Sequence, residues 1–360
     1  MIMEDVKDIG LSGLKDRLAS WGVPGYRAKQ IFTWIFQKGA LSFSQMSDIP
    51  LPLREKLNSN FYILGLKKSA GSRSSDGTEK LLFELRDGNL VEGVNIPMAL
   101  RLPGDSGRSC AGSYSEVTAC ISSQAGCKFS CGFCASGVKG LRRNLKCGEI
   151  LDEILLLKSQ LHKARLNNVV FMGTGEPLDN YANVLQAVRM INSPDAFNIG
   201  ARHITISTCG IIPGINKLKE EDLQVELSVS LHAADDKLRT EIMPVNRKYP
   251  LGELIPCCNE YIEATNRQIT FEYILIKGLN SDLSCARKLA ILLSGLRLAK
   301  VNLIPANPVS GKKISPPSAA QALCFKECLA KSGVNVTLRK RRGADIDAAC
   351  GQLRLRHENN

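Results

Sequence analysis

The stretch that decides the fold is Cys120-Ile-Ser-Ser-Gln-Ala-Gly-Cys127-Lys-Phe-Ser-Cys131-Gly-Phe-Cys134, which ends in a CxxxCxxC motif. Three thiolates on one short loop can each ligate one iron of a 4Fe–4S cube, which leaves the fourth iron without a protein ligand. An iron with an open position can bind a substrate rather than only pass electrons. The spacing therefore predicts an iron–sulfur cluster held by Cys127, Cys131 and Cys134.

A zinc site and a set of disulfides are the alternatives for these cysteines. Structural zinc needs four ligands, whereas this motif offers three thiolates and has no histidine beside it. The chain has 13 cysteines, an odd number, and its first residues do not resemble a signal peptide. We therefore expect a reducing, cytoplasmic setting in which the thiols stay free for metal binding and catalysis.

The charge of the chain favours a polyanionic partner. Its 47 Lys and Arg residues exceed its 35 Asp and Glu residues, which gives a formal net charge of +12. Many basic proteins bind no RNA, but here the cations cluster near cysteines, at 139–146 and at Arg339, Lys340, Arg341 and Arg342. Clusters of this kind suit contacts with phosphates. No apolar run of about 18 residues is present, so no membrane span is predicted.

Strand-like runs alternate with amphipathic segments from residue 117 onward. The predicted strands are 117–122, 168–172, 203–208, 225–231, 269–276 and 300–304, and the predicted helices are 148–166, 180–191, 213–221, 251–265 and 283–295. A helix at 317–332 and a short strand at 335–339 follow. Six βα repeats predict an α/β fold with parallel strands, a partial (β/α)6 barrel.

The first part of the chain has a different pattern. Helices are predicted at 11–21, 26–39 and 51–58, followed by a β-hairpin of 78–85 and 89–94 that turns at Asp87-Gly88. Residues 98–116 are rich in Gly and Ser and are predicted to form a loop. We therefore expect a helical N-terminal accessory domain at 1–75, a hairpin extension and linker at 76–118, the barrel at 119–340 and a C-terminal loop at 341–360.

Residues that offer hydrogen-bonding groups, from the side chain or from the main chain, follow several of the predicted strands, where the ligands of such a barrel are bound. They are Gly175 and Glu176 after the second strand, Ser207 after the third, Ser230, Leu231 and His232 after the fourth, and Asn307 after the sixth. Each alone is more often a local cap or, for His232, a structural hydrogen bond to a neighbouring loop. Together they predict a ring of hydrogen-bonding groups around one hydrophilic ligand.

Two cysteines outside the cluster motif differ from the rest. Cys120 ends the first strand, seven residues before Cys127, and Cys350 lies in a small-residue loop after four cations that favour its thiolate. The remaining eight cysteines are interpreted as small buried hydrophobic residues.

With these motifs in place, the sequence resembles the radical-SAM methyltransferases of the RlmN type, which methylate C2 of adenosine in ribosomal and transfer RNA. The matching segments occur in family order and cover nearly the whole chain: 91–97, 120–134, 140–145, 172–178, 207–210, 230–233, 301–308 and 341–353. The resemblance implies that the barrel is a radical-SAM barrel and that the seven strand-end residues bind S-adenosylmethionine (SAM). The backbone of the turn at 173–177 is expected to bind the amino and carboxylate groups of SAM, with Glu176 contacting its ammonium.

The resemblance also implies roles for three residues and a two-SAM mechanism. Cys350 is methylated by one SAM, and the methyl group then loses a hydrogen to a 5′-deoxyadenosyl radical that is made from a second SAM at the cluster. The carbon radical adds to C2 of the adenine, and Cys120 helps to break the enzyme–RNA bond, leaving a disulfide with Cys350. Glu92 is the implied proton acceptor.

The implied cofactors are one 4Fe–4S cluster, with SAM on its open iron, and two SAM molecules per turnover. The implied partners are 23S rRNA, tRNA and an electron donor such as flavodoxin or ferredoxin, and we expect a monomer. Two other hypotheses stay open: methylation of C8 of the same rRNA adenosine, as in the antibiotic-resistance enzymes, and a non-enzymatic RNA-binding protein stabilised by zinc or an iron–sulfur cluster.

Overall fold

A computed structural model describes residues 3–98, 116–161, 164–307, 314–340, 342–343, 345–346 and 352–359. The N-terminal part is helical, as predicted. It consists of β1 (Glu4–Asp5), α1 (Gly10–Ser20), α2 (Tyr26–Phe32, continued by a π-helical turn over Thr33–Gln37), α3 (Leu51–Asn60) and β2 (Phe61–Tyr62), which pairs parallel with β1. Apolar side chains at helical spacing, such as Leu14 and Leu18, are fully buried and form its core.

Antiparallel strands connect this module to the barrel. They are β3 (Leu66–Arg73), β4 (Glu79–Leu85) and β5 (Leu90–Met98). The predicted hairpin is β4–β5, and Gly88 adopts a φ of +80° in its turn, a conformation that favours glycine. Strand β3 was not predicted from the sequence. Its residues Leu-Lys-Lys-Ser-Ala-Gly-Ser-Arg are mostly exposed and do not alternate between apolar and polar side chains.

Parallel strands joined by helices form the barrel. The first βα segment contains β6 (Glu116–Cys120), the short hairpin strands β7 (Gln124–Gly126) and β8 (Leu141–Asn144), and α4 (Cys147–Ser159). The rest of the barrel consists of β9 (Arg165–Phe171), α5 (Tyr181–Asn192), β10 (Ile204–Thr208), α6 (Ile212–Lys219), β11 (Glu226–Ser230), α7 (Asp236–Ile242), α8 (Leu251–Thr265), β12 (Ile269–Leu275), α9 (Leu283–Leu293), β13 (Ala299–Pro305), α10 (Ala319–Lys331) and β14 (Asn335–Leu338); α11 (Gln352–Asn359) ends the described chain.

The strand order confirms the partial barrel. In the described part of the chain, one ten-stranded sheet has the order β14-β13-β12-β11-β10-β9-β6-β5-β4-β3, so the antiparallel strands extend the open parallel barrel at its first strand. Some predicted boundaries were wrong. The helix predicted to reach residue 166 ends at Ser159, because Leu166 belongs to β9, where it is buried in the sheet. The short helices α7 and α11 were not predicted.

The N-terminal module packs directly against the barrel. The backbone N–H of Gly148, in the first turn of α4, donates to Asp8 at 2.6 Å, and Lys158 donates to the carbonyl of Phe36 at 2.8 Å. No helix among the residues described above is long and apolar enough to cross a membrane.

Candidate active site

A cavity of about 370 Å³ opens at the carboxyl ends of the parallel strands. Its lining brings together most of the residues singled out in the sequence. The lining includes Cys120, the three motif cysteines, Gly175, Glu176, Ser207, Ser230, His232, Asn307, Arg339, Lys340 and Arg342. The predicted ring of polar groups therefore surrounds a single cavity, which the cysteine loop and a group of cations also line.

The cysteine loop lies between β7 and β8 and is tightly wound. Gly126 has a φ of +81°, and a Cβ there would lie 2.0 Å from the carbonyl oxygen of Gly140, so only glycine fits. The backbone N–H of Cys127 donates to that same carbonyl at 3.1 Å, and the N–H of Gly132 donates to the carbonyl of Ile242 at 2.7 Å. These bonds hold the loop at the cavity wall.

The environment of the three thiols suits a cationic group. Burial raises the pKa of Cys127 to about 12, and it also raises the pKa of Cys131, with the neighbouring motif thiols adding to both rises. Three thiolates at this place would therefore need the positive charge of bound iron ions to stabilise them. Among the described residues, no three His, Cys, Asp or Glu side chains converge so that one ion could bind them. In the cluster that the CxxxCxxC spacing predicts, each cysteine ligates a different iron.

The turn after β9 approaches the cysteine segment closely. A Cβ on Gly173 would lie 2.6 Å from the carbonyl oxygen of Ile121, and one on Gly175 would lie 2.7 Å from the backbone nitrogen of Gln124. Both glycines therefore let this turn pack against the start of the cysteine segment. The backbone of the turn is consequently fixed beside the motif, where the sequence predicts that the amino and carboxylate groups of SAM bind.

Glu176 is buried and already accepts two backbone hydrogen bonds. One carboxylate oxygen accepts from the N–H of Cys209 at 2.7 Å, and the other accepts from the N–H of Leu178 at 3.1 Å. Burial raises the pKa of this carboxyl, and the hydrogen bonds oppose the rise. Glu176 thus joins the turn after β9 to the end of β10, and its predicted contact with the SAM ammonium stays a prediction.

His232 lines the cavity and also makes a structural hydrogen bond, although its partner lies on the neighbouring strand β12 and not in a loop as the alternative role supposed. Its Nδ1 accepts from the backbone N–H of Ile274 at 3.0 Å, and its ring lies edge-on to Phe133 with 4.6 Å between the ring centroids. Burial lowers the pKa of His232 to about 3, and nearby Arg239 lowers it further. The imidazole is therefore neutral at physiological pH, with Nδ1 as the acceptor.

Leu231 and Glu92 do not line the cavity. The Leu231 side chain is fully buried, and its backbone donates to the carbonyl of Glu272 at 3.0 Å, so only its main chain lies near the site. Glu92 is buried on β5, where its carboxylate lies 2.8 Å from the ammonium of Lys80. Cys120 is buried in the lining, whereas Cys350 and Arg341 lie outside the described residues.

Arg239, a fully buried arginine on α7, was not predicted from the sequence to belong to the site. Its guanidinium donates to the carbonyls of Cys209 at 2.8 Å, Ser230 at 3.2 Å and Leu231 at 3.2 Å, and to the side chain of Asn246 at 2.7 Å. It therefore ties the ends of β10 and β11 together beneath the cavity. No pattern marked it, because a single arginine in a short helix is usually exposed.

Glu272, which lies on β12 and lines the cavity, was also not predicted from the sequence to belong to the site. Asn302 donates to its carboxylate at 2.8 Å. Burial raises the pKa of Glu272 to about 7. The positive charge of Arg339 and the hydrogen bond from Asn302 both oppose this rise. One signal could have found this residue, since an acid stands alone in the apolar run Ile-Thr-Phe-Glu-Tyr-Ile-Leu-Ile of the predicted strand.

Two family signatures match the chain. That of the Radical SAM superfamily matches residues 121–283, which contain the cysteine motif and the ends of β9, β10, β11 and β12. That of the ribosomal RNA large subunit methyltransferase N-terminal domain matches residues 5–63, the helical module.

Full-length relatives and a solved structure agree with these matches. The "Probable dual-specificity RNA methyltransferase RlmN" of Pelotomaculum thermopropionicum is 45% identical over 97% of this chain and 91% of its own length. The protein of the same name from Thermoanaerobacter sp. strain X514 is 42% identical over 99% of both chains. The crystal structure of a radical SAM methyltransferase from Sphaerobacter thermophilus superposes with a TM-score of 0.89 at 40% identity, covering 97% of this chain and 98% of that one. The chain therefore belongs to the RlmN family of radical SAM methyltransferases.

Proposed function

We propose that the protein methylates C2 of one adenosine in 23S rRNA and of the adenosine next to the anticodon in tRNAs. The observation that carries the proposal is the position of Cys120, whose thiol lines the same cavity as Cys127, Cys131 and Cys134. A methyltransferase that works only by displacement of the methyl group of SAM needs no second thiol beside a cluster. A reaction in which the RNA becomes bonded to a cysteine through the transferred carbon does need one, to release the product. The names of the relatives, which describe dual-specificity RNA methyltransferases, support two RNA substrates.

Each named residue has a proposed task in this reaction. The thiolate of Cys350 takes a methyl group from a first SAM and carries it to the adenine. Once the methylene carbon carried by Cys350 has bonded to C2, Glu92 accepts the proton that leaves C2, and the adduct would give up one electron, for which the bound cluster would be the acceptor. The thiolate of Cys120 then attacks the sulfur of Cys350, the carbon–sulfur bond breaks, and a proton taken up by the released carbon completes the methyl group on the RNA. The bound cluster, with a second SAM on its open iron, would supply the 5′-deoxyadenosyl radical. The resulting disulfide needs two electrons for its reduction, which suits the reducing cytoplasm.

The lining residues have binding roles in the same proposal. Gly175 and Glu176 hold the amino and carboxylate groups of SAM, and Ser207, Ser230, His232, Asn307 and the main chain of Leu231 hold the rest. Arg339, Lys340 and Arg342 also line the cavity, and as cations they suit RNA phosphates. We further propose that the enzyme acts as a monomer with flavodoxin or ferredoxin as its electron donor.

Mass spectrometry of digested RNA tests the proposal and separates it from C8 methylation. A strain that lacks the gene is expected to lose 2-methyladenosine from 23S rRNA and tRNA, and a plasmid copy of the gene is expected to restore it. A plasmid copy with Cys350→Ala serves as the matched control and should restore nothing. If the gene produces 8-methyladenosine instead, the C2 assignment is wrong, and if it alters neither nucleoside, the methyltransferase proposal fails.

A further inference from the structure

Lys80 and Glu92 form a buried ion pair on the antiparallel extension of the barrel. The ammonium lies 2.8 Å from the carboxylate, and the side chains are 0% and 2% exposed. In the strand register Leu82 pairs with Glu92 and Lys80 pairs with Val94, so the two charged residues lie diagonally on one face of the sheet. Val94 in turn pairs with Cys120 on β6, which places Lys80 in the same row as that thiol.

Glu92 also holds the C-terminal helix. Its other carboxylate oxygen accepts from the backbone N–H of Arg354 at 2.6 Å, and this contact is buried. Arg354 is the third residue of α11, where backbone N–H groups have no partner within the helix. The carboxylate therefore caps α11 from a different part of the chain.

Arg354 extends the connection to the cysteine loop. Its side chain is among the largest fully buried ones in the described chain, and its guanidinium donates to the carbonyl of Ser136 at 3.3 Å. Ser136 follows Cys134 by two residues. The contacts thus run from Lys80 through Glu92 and Arg354 to the end of the cysteine motif.

Gly343 and Asp345, which precede Cys350 in sequence, also contact the extension. At the turn between β3 and β4, the backbone N–H of Gly343 donates to the carboxylate of Asp76 at 2.9 Å, and the backbone N–H of Ser75 donates to the carboxylate of Asp345 at 3.0 Å. The sheet therefore contacts the chain on both sides of Cys350 in sequence, five residues before it at Asp345 and four after it at Arg354.

We propose that Lys80 and Arg354 are positioning residues for the methyl-carrying cysteine. Together with Glu92 they form a brace that fixes α11, and so the segment that carries Cys350, relative to the cluster loop. Removing Lys80 takes away a buried positive charge 2.8 Å from the Glu92 carboxylate, which raises the free energy of that carboxylate and weakens its hold on Arg354. The inference rests on the proposed function for the role of Cys350, and it adds a second task to Glu92 besides accepting a proton.

Hydrogen–deuterium exchange of the holoenzyme tests the brace directly. Lys80→Met and Arg354→Met are each expected to speed amide exchange in residues 352–357 by about tenfold or more, the effect of losing a charged buried hydrogen bond. The matched controls are Lys67→Met, which changes an exposed lysine on β3, and His357→Met, which changes an exposed histidine on α11; both should exchange like the wild type. Arg354→Met keeps the test valid if Lys80→Met does not fold.

Transfer of a labelled methyl group from SAM to Cys350 in a single turnover gives the second measurement. The rate of this methyl transfer should fall by about tenfold in both brace variants, in proportion to the weakened attachment of α11 to the sheet. The double variant Lys80→Met/Glu92→Gln should recover exchange protection and cysteine methylation, because glutamine still offers an oxygen to Arg354 and leaves no unpaired charge. RNA methylation should stay low in it, since the amide that replaces the Glu92 carboxylate accepts no proton.

Two results would overturn the brace: unchanged exchange at 352–357 in both single variants, or exchange that rises equally throughout the sheet. If the wild-type enzyme never methylates Cys350, the proposed function fails while the exchange data still decide whether the brace exists.

Discussion

The ammonium of Lys7 lies 2.9 Å from the carboxylate of Asp152, and neither side chain has any exposure to solvent. Lys7 also pairs with Asp5 at 2.7 Å, and the second oxygen of Asp152 accepts from the backbone N–H of Gly65 at 2.7 Å. Because Lys7 belongs to the N-terminal module and Asp152 to α4 of the barrel, this buried group joins the two parts of the protein.

Removing the central charge should therefore destabilise the fold. Lys7→Met leaves two buried carboxylates without a counter-ion, and we expect the free energy of unfolding to fall by about 3–5 kcal/mol. Urea denaturation measures the change, with Lys15→Met, an exposed lysine on α1, as the control. A loss that matches the control would mean that water compensates the carboxylates and that the pair is not a structural link.

Each cysteine of the motif should be indispensable for the cluster. Replacing Cys127, Cys131 or Cys134 by Ala leaves two thiolates on the loop, so iron content after anaerobic reconstitution should fall to near zero along with all SAM cleavage. Cys324→Ala, which changes an exposed cysteine on α10, should bind iron normally. Near-normal iron content in any of the three variants would disprove the ligand assignment.

Arg239 should support SAM binding without touching the ligand. Arg239→Met leaves the carbonyls at the ends of β10 and β11 without their donor, so we expect SAM affinity to fall by about tenfold or more. Calorimetry on the reconstituted protein measures the affinity, and Arg247→Met, an exposed arginine nearby in sequence, is the control. An unchanged dissociation constant would show that the strand ends keep their positions without this side chain.

The two isolated cysteines should fail at different steps. Cys350→Ala should keep the cluster and transfer no methyl group to RNA, whereas Cys120→Ala should still attach the adenine to Cys350 and then stall. Denaturing gels should therefore show a covalent protein–RNA band for Cys120→Ala only. A band from Cys350→Ala, or full turnover by Cys120→Ala, would mean that the roles are assigned wrongly.

The stability of the protein should depend on pH through Glu272. Its pKa is about 7 in the folded state, above the ordinary value of 4.5, so the folded state binds the proton more tightly. Binding of this proton therefore stabilises the folded state. Its full contribution to the free energy of unfolding, at most roughly 3 kcal/mol, is present below about pH 4.5 and is lost as pH rises through 7. Urea midpoints at pH 5 and pH 8 should differ less for Glu272→Gln than for the wild type. Equal differences would indicate that Glu272 has an ordinary pKa.

The sequence was sufficient for the features that depend on local pattern. The CxxxCxxC spacing, the alternation of strands and helices, and the glycines at 88 and 175 each constrain the chain over a few residues. From these the partial barrel, the family and the convergence of Ser207, Ser230 and Asn307 at one rim could be predicted, because parallel strands bring their carboxyl ends to a common edge.

Only the tertiary structure decided which side chains are buried together from distant parts of the chain. No sequence motif surrounds Arg239, Glu272 or Lys7. Their importance comes from burial beside partners that are far away along the chain, as Asp152 is from Lys7. Glu92 was predicted from its motif, but its contacts with Lys80 and Arg354 exist because the sheet and α11 meet in space. A local pattern sets backbone conformation, whereas the energy of a buried charge is set by whatever the fold packs against it.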